Sequence, residues 1–221
     1  MSNSNWQHYF DQKAERHGAS VKASDYFDDK SFFMQREHIL RWLGELQGQQ
    51  ILDAGCGVGA FSEPLTAANR VCGVDFSVNS LQFAAARGLE TSNDDLTALH
   101  FADNSFDLVL CIGVIQLIEA YQPVIRELAR VVKPGGTLLV QTLHQQSLQR
   151  RLLRLFERQK KFDRMYGMDE LCRSFAACGV AEVEFLKYYH PFRFVSASRD
   201  SGGWSDYFCT SFAIKGRKRR E

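Results

Sequence analysis

The feature that most constrains the fold is Ile51-Leu-Asp53-Ala-Gly55-Cys56-Gly57-Val-Gly59, a short apolar run that breaks into three glycines at alternate positions. The apolar part reads as a buried strand. The glycines allow backbone torsions and close approaches that a Cβ would block. At the carboxyl end of a strand and the start of a helix, such a loop lets a ligand lie against main chain, as ligands do in open α/β sheets. Taken alone, the triplet also fits a plain tight turn. Its surroundings have to decide.

The surroundings are informative. Asp75 ends the next apolar segment, Val71-Cys-Gly-Val-Asp75, where an acid can accept hydrogen bonds from both hydroxyls of a ribose. It is equally placed to cap a helix that starts after Phe76-Ser77, and one residue can do both. A polar stretch from Asn93 to Asp107, containing Asp95 and Leu96, leads into a further apolar strand that ends in Cys111-Ile112. From the residues themselves a nucleoside-binding α/β domain follows. A nicotinamide or flavin dinucleotide fits less well, because the spacing is Gly-x-Gly-x-Gly and Asp53 would repel a pyrophosphate.

The rest of the chain fits an alternating plan. Strands are expected at Gln50–Asp53, Arg70–Asp75, Phe106–Cys111 and Thr137–Thr142, and again near Val183–Tyr189 and Tyr207–Ile214. Helices are expected at about Ala60–Ala68, Val78–Arg87, Pro123–Val132 and Asp169–Cys178, with Lys133-Pro-Gly-Gly136 as a stop between helix and strand. Alternating apolar strands and helices argue for a mostly parallel sheet covered on both faces. Residues 1–48 read as a helical cap belonging to the same domain: Asp29 or Ser31 starts a helix through Phe32, Ile39 and Leu43 toward Gly48. Residues 49–221 make up the remainder.

Composition narrows the function classes. With 27 basic and 26 acidic side chains the formal net charge is +1, so nothing calls for a nucleic-acid partner. Six scattered cysteines show neither Cys-x-x-Cys spacing nor a Cys/His cluster, which predicts reduced thiols and no metal site. The longest nearly apolar run, Leu108 to Ile118, is too short for a bilayer, and the first residues lack the pattern of a signal peptide, so a cytoplasmic protein is expected.

The motifs taken together resemble the class I S-adenosylmethionine-dependent methyltransferases. These motifs are Leu-Asp-Ala-Gly-Cys-Gly-Val-Gly, the acid at Asp75, the segment from Asp95 through Ser105-Phe-Asp-Leu-Val109, and Leu128-Ala-Arg-Val-Val-Lys-Pro-Gly-Gly136. The resemblance is narrower to the small-molecule branch that includes ubiquinone-biosynthesis O-methyltransferases, and it covers about residues 49–143. It implies a Rossmann-like three-layer α/β sandwich whose seven-stranded, mostly parallel sheet ends in an antiparallel last strand. It also implies S-adenosylmethionine as cofactor and S-adenosylhomocysteine as product. By the same resemblance Asp53, Gly55, Cys56, Gly57 and Gly59 would line the methionine part of the cofactor. Asp75 would hold the ribose with Phe76 against the adenine, Asp95 would accept from the adenine amino group, and Leu96 would cover the ring. Cys111 and Ile112 would meet the methionyl moiety through backbone.

Methyl transfer from a sulfonium asks the protein mainly to align donor and acceptor and to exclude water. A hydroxyl acceptor would also want a base. His144, just beyond the fifth strand, is the first candidate, with His190, Tyr188 and Glu119 behind it; an exposed or capping histidine is the plainer account of His144. Where many relatives carry a histidine pair after the fourth strand, Gln116-Leu117 stands here. The aromatics Trp6, Tyr9, Phe10, Tyr26, Phe27, Phe32 and Phe33 suggest a lid over the acceptor, or simple packing of the cap on the sheet. The segment 147–164 combines Leu148, Leu152, Leu155, Phe156 and Phe162 at helical spacing with seven basic residues. Such an amphipathic stretch suits peripheral contact with an anionic membrane, an acidic substrate, or a solvated helix face. The expected acceptor is a small aromatic, polyketide-like or quinone-like molecule methylated on oxygen or nitrogen. The alternatives are a nucleic-acid methyltransferase, disfavoured by charge and by Cys111-Ile-Gly-Val114 after the fourth strand, and a scaffold that keeps the fold without turnover.

Overall fold

The structure is a computed structural model that describes residues 3–24, 29–118, 120–155, 164–189, 194–201 and 204–220. Tyr26, Phe27, Glu119, His190 and the segment 156–163 lie outside the described residues. The strands are β1 (Gln50–Ala54), β2 (Arg70–Val74), β3 (Glu90–Ser92), β4 (Phe106–Ile112), β5 (Val132–Leu143), β6 (Val180–Tyr189), β7 (Phe194–Ser198) and β8 (Ser211–Lys218). The helices are α1 (Asn3–His17), α2 (Asp29–Leu43), α3 (Val78–Ala86), α4 (Tyr121–Val131), α5 (Leu148–Leu155) and α6 (Met168–Ala177).

One sheet runs in the order β3-β2-β1-β4-β5-β8-β6-β7. Pairings from β3 to β5 are parallel; β8 is antiparallel to both β5 and β6, and β7 is antiparallel to β6. The expected Rossmann-like α/β sandwich is therefore present, with eight strands where seven were expected. The added strand is β7, a short edge hairpin partner of β6. The strand order reverses between β1 and β4, which opens a crevice at the carboxyl ends of β1, β2 and β4, where such sheets take ligands.

Strand residues alternate between two cores. Leu52, Ala54, Val109, Cys111, Leu138 and Val140 face a layer made by α4 and α6, through Val124, Ile125, Leu128, Leu171 and Phe175. Ile51, Leu108, Leu110, Ile112 and Leu139 face the other layer, where α2 contributes Phe32 and Ile39 and α3 contributes Leu81 and Ala84. Both faces are covered, which is why the inner strands read as nearly unbroken apolar runs.

Three local expectations are corrected. The helix expected at Ala60–Ala68 is a series of turns with one 3-10 turn at Glu63–Leu65. Pro64 has no N–H to donate to the Ala60 carbonyl four residues back, and Arg36 of α2 donates to that carbonyl instead, at 2.7 Å. The last strand starts at Ser211 and runs to Lys218 rather than covering Tyr207–Ile214. Its basic end is therefore part of the sheet. Lys215 donates to the Trp42 carbonyl at 2.8 Å and lies over the Trp42 ring, and Lys218 donates to the carbonyls of Ala129, Arg130 and Val132 at the end of α4. Glu90–Ser92, too polar to read as a strand, pairs with β2 at the sheet edge.

Candidate active site

The glycine loop leaves β1 at Ala54 and turns back under the carboxyl end of β2. Gly55 and Cys56 both donate backbone N–H to Val74 O, at 2.7 and 3.0 Å. Gly55 has φ +81°, and a Cβ on it would stand 2.3 Å from Val114 Cγ2, so the loop needs glycine there for conformation and for space. Gly59, φ +76°, packs against α3, where a Cβ would come within 2.9 Å of Ala84 Cα. The loop is thus fastened to β2 on one side, to the segment after β4 on another and to α3 beyond.

Two acids flank this loop. Asp53 is 1% exposed, and Ser62 Oγ donates to its Oδ2 at 2.5 Å. Burial raises its pKa to about 7, against the lowering effect of the Ser62 hydrogen bond, and the nearby Asp75 adds to the rise. Asp75 caps both structures at once: its Oδ2 accepts from Gly57 N at 2.8 Å and its Oδ1 from Ser77 N at 2.9 Å. Burial raises the pKa of Asp75 as well, the two backbone hydrogen bonds oppose that, and Asp11 reinforces it. Asp75 and the glycine loop are therefore one unit, with the carboxylate as the strut between them.

The outer wall is built by Asn93 and the loop that follows. Asn93 Nδ2 donates to the carbonyls of Asp75 and Phe76 at 2.8 and 2.9 Å, which fixes Phe76 beside the loop of Asp95 and Leu96. Asp95 Oδ1 accepts from both N and Oγ1 of Thr97, and Leu96 is buried. Arg130 clamps this region from α4. It donates to Asp103 and to the carbonyls of Leu99 and Phe101, while Glu127 holds its guanidinium by two hydrogen bonds and accepts from Leu99 N. Those hydrogen bonds, to Glu127 first and to Asp103 next, raise the Arg130 pKa further still.

Helix α1 closes on the same corner. Ser77 caps α3, its Oγ accepting from Ser80 N at 3.0 Å, and the same hydroxyl donates to Asp11 Oδ1 at 2.6 Å. Asn79 Nδ2 donates to Glu15 at 3.0 Å, and Arg87 at the other end of α3 reaches the Ala19 carbonyl at 2.7 Å. Trp6, Tyr9 and Phe10 form an aromatic cluster on α1, with Trp6 stacked on Phe10 at 6.0 Å between centroids. Phe32 belongs to the core, whereas Phe33 is exposed.

The predicted site residues thus divide into two groups. Asp53, Gly55, Cys56, Gly57, Gly59, Asp75, Phe76, Asp95 and Leu96 surround the crevice, and Ile112 ends β4 beside them. The Cys111 side chain belongs to the core on the opposite face, where burial raises its pKa, which leaves only its backbone to the crevice. His144 is not brought to the site. It is 1% exposed, edge-on to Phe212, with Nδ1 3.4 Å from the Cys209 carbonyl, and alternation along β5 turns it to the α4/α6 side. Burial lowers its pKa. Sequence reasoning passed over Ser62, Asn93, Arg130 and Asp11. Arg130 was visible within the motif before Lys133-Pro-Gly-Gly136, but Asp11 has no local signal, because its partners are more than sixty residues away.

Residues 52–140 match the family model described as "Methyltransferase domain". Over these residues the chain is similar to methyltransferase domains. It is 38% identical over 117 residues to the malonyl-[acyl-carrier protein] O-methyltransferase of Erwinia billingiae, covering 51% of this chain and 46% of that protein. It is 31% identical over 148 residues to the ubiquinone biosynthesis O-methyltransferase of Bordetella avium, covering 60% of this chain and 61% of that one. The chain thus spans about half to three fifths of these curated relatives. Among solved structures, a SAM-dependent methyltransferase from Thermotoga maritima superposes with a TM-score of 0.75 at 19% identity, over 96% of this chain and 99% of that one. The magnesium protoporphyrin IX methyltransferase of Synechocystis, solved with bound SAH, gives 0.71 at 18% identity, over 99% and 100%. The last two likenesses speak to fold.

Proposed function

We propose that this chain transfers a methyl group from S-adenosylmethionine to oxygen or nitrogen of a small, largely apolar acceptor. The observation that carries the reading is the joint placement of Asp53 and Asp75 around one glycine loop at the strand-order reversal, within a methyltransferase domain. S-adenosylmethionine supplies an electrophilic methyl group on a sulfonium that departs as a neutral thioether. The residues present fit such a ligand. Asp53 is a buried acid held near neutrality, suited to receive an ammonium group, and Asp75 offers a carboxylate to hydroxyl donors. Phe76 and Leu96 offer apolar surface to a flat base, with Asp95 at hand for an amino group. The backbone at Gly55, Gly57, Cys111 and Ile112 leaves room for the amino-acid portion.

In this reading α1 is a lid whose latch is Asp11 on Ser77, two residues from the ribose acid. His144 serves the fold and takes no proton from the acceptor; proximity and orientation supply most of the rate. The acceptor side faces the ends of β4 and β5, and the protein works in the cytoplasm. A second element of the proposal concerns α5. Leu148 and Leu152 are 47% and 50% exposed, with Arg151 exposed between them, which favours peripheral contact with an anionic bilayer. Among the described residues no helix is long and apolar enough to cross a membrane. Co-sedimentation with vesicles should then depend on anionic lipid and be lost in Leu148→Ser/Leu152→Ser; lipid-independent behaviour removes this element alone.

The test of the main reading is calorimetric titration with S-adenosylmethionine, S-adenosylhomocysteine and NAD, with Asp75→Ala beside the wild type and a thermal melt to confirm its fold. Micromolar binding of the two sulfur compounds, weakened at least tenfold in Asp75→Ala, supports the assignment. Absence of binding to both refutes it.

A further inference from the structure

Gln141 stands near the end of β5, opposite Ile112 of β4 on one side and Ala213 of β8 on the other. Its side chain shares a face with Leu139, Ile112 and Ala213, all members of the apolar core on that side of the sheet. This is also the face of Asp53, which is paired through Leu110 in the next row. The residue is 4% exposed, yet its Oε1 has no hydrogen-bond partner. The amide nitrogen makes a long contact of 3.5 Å to the Thr142 carbonyl, which leaves the oxygen as the unsatisfied end.

A buried, unpaired amide oxygen is costly, and an apolar side chain would suit these neighbours better. The residue is also tied to the proposed cofactor site by its backbone. Gly113 N, just past Ile112, donates to the Gln141 carbonyl at 3.1 Å, so the turn that leaves β4 hangs on this residue. The position is one strand beyond Ile112, on the side away from β1, which in the proposed reading is the side from which the acceptor approaches the donor. Around it the walls are apolar: Ile112, Leu143, Ala213 and Leu186 are all buried.

We infer that Gln141 is a specificity-determining residue whose Oε1 accepts a hydrogen bond from an O–H or N–H of the acceptor. This deepens the methyltransferase reading and rests on it. The acceptor class is then an apolar ring or chain that presents a hydrogen-bond donor to the end of β5, and a fully alkylated analogue of the same shape should be discriminated against. The side chain neither accepts nor releases a proton; it orients the ligand.

The experiment uses the full chain saturated with S-adenosylhomocysteine and a matched pair of probes, 2-naphthol and 2-methoxynaphthalene, which differ in the donor. Wild type should bind 2-naphthol about tenfold more tightly, by fluorescence titration, as a single hydrogen bond in an apolar site warrants. Gln141→Leu should bind the two alike, keep its S-adenosylhomocysteine affinity within twofold, and melt at or above the wild-type temperature, because the unsatisfied Oε1 is removed. The inference is overturned if wild type fails to bind 2-naphthol or fails to prefer it, or if the preference survives in Gln141→Leu. It is also overturned if that variant melts well below wild type, which would mark Gln141 as structural. Failure of wild type to bind S-adenosylhomocysteine would instead defeat the parent reading.

Discussion

Replacing Asp53 by Asn removes a charge from a site that is 1% exposed while keeping an oxygen for Ser62 Oγ to donate to. In the folded chain the carboxyl titrates at about 7 because burial disfavours its charged form. Unfolded, it would titrate at about 4. Between these values the folded state holds a proton that the unfolded state has released, so stability falls as pH rises through that window. Three pKa units correspond to about 4 kcal/mol as a ceiling, reached above pH ~7. Asn is neutral throughout. Asp53→Asn should therefore match wild type near pH 4 and exceed it progressively toward pH 8, by several degrees in Tm for a chain of this size.

Binding of the cofactor should show the opposite ledger. An ammonium beside Asp53 favours the carboxylate, so wild-type affinity for S-adenosylhomocysteine should rise between pH 6 and 7.5, with proton release visible as a buffer-dependent enthalpy. Asp53→Asn should bind more weakly and without that pH dependence. Denaturant melts at pH 4.5, 6 and 8, paired with titrations in phosphate and Tris, measure both effects. Parallel stability curves for the two proteins would mean that Asp53 is charged in the fold at ordinary pH, and the burial argument would fail.

Gly55→Ala places a Cβ against Val114 at a residue with φ +81°, so it should lose at least tenfold in cofactor affinity and about 1–3 kcal/mol in stability, read by titration and urea melts. Adding Val114→Ala should restore part of the loss. Asp11→Ala should leave the sheet intact but raise amide exchange across residues 3–17, since it removes the bond to Ser77 Oγ; unchanged exchange would show that α1 is held by packing alone. His144→Phe should keep the methyl-transfer pH profile of wild type, and loss of the alkaline limb or of more than a hundredfold in kcat would return the imidazole to the chemistry.

How much of this was legible in the sequence depends on how local each cause is. The glycine loop, Asp53 and Asp75 lie within twenty-five residues, and the chain's own strand-turn-strand path brings them together, so their order in sequence is nearly their order in space. The helix expected after Gly59 failed because a periodicity argument gave Pro64 too little weight and had no means of foreseeing that Arg36 takes the Ala60 carbonyl. The last strand was misplaced because Lys215-Gly-Arg-Lys218 lacks the apolar run of a strand. Its lysines in fact reach Trp42 and the end of α4, so their charge is spent on distant carbonyls. His144 was placed correctly at the end of β5, but its face follows from the register of β5 on β4 and of β4 on β1, which sets it opposite Asp53 and sets Gln141 on the same side.

That last contrast separates the two halves of the site. A cofactor common to many chains is held by backbone and by acids at the ends of neighbouring parallel strands, and such positions follow from strand order alone. In the proposed reading the acceptor would be met near the end of β5, whose neighbours β4 and β8 the chain reaches from different directions and in both senses. There, a residue's face is fixed by register and not by its neighbours in sequence. Gln141 is an ordinary polar residue in the run Leu-Leu-Val-Gln-Thr-Leu143 until its pairing with Ile112 and Ala213 is known. Only then does its unpaired oxygen become the basis for the acceptor contact we propose.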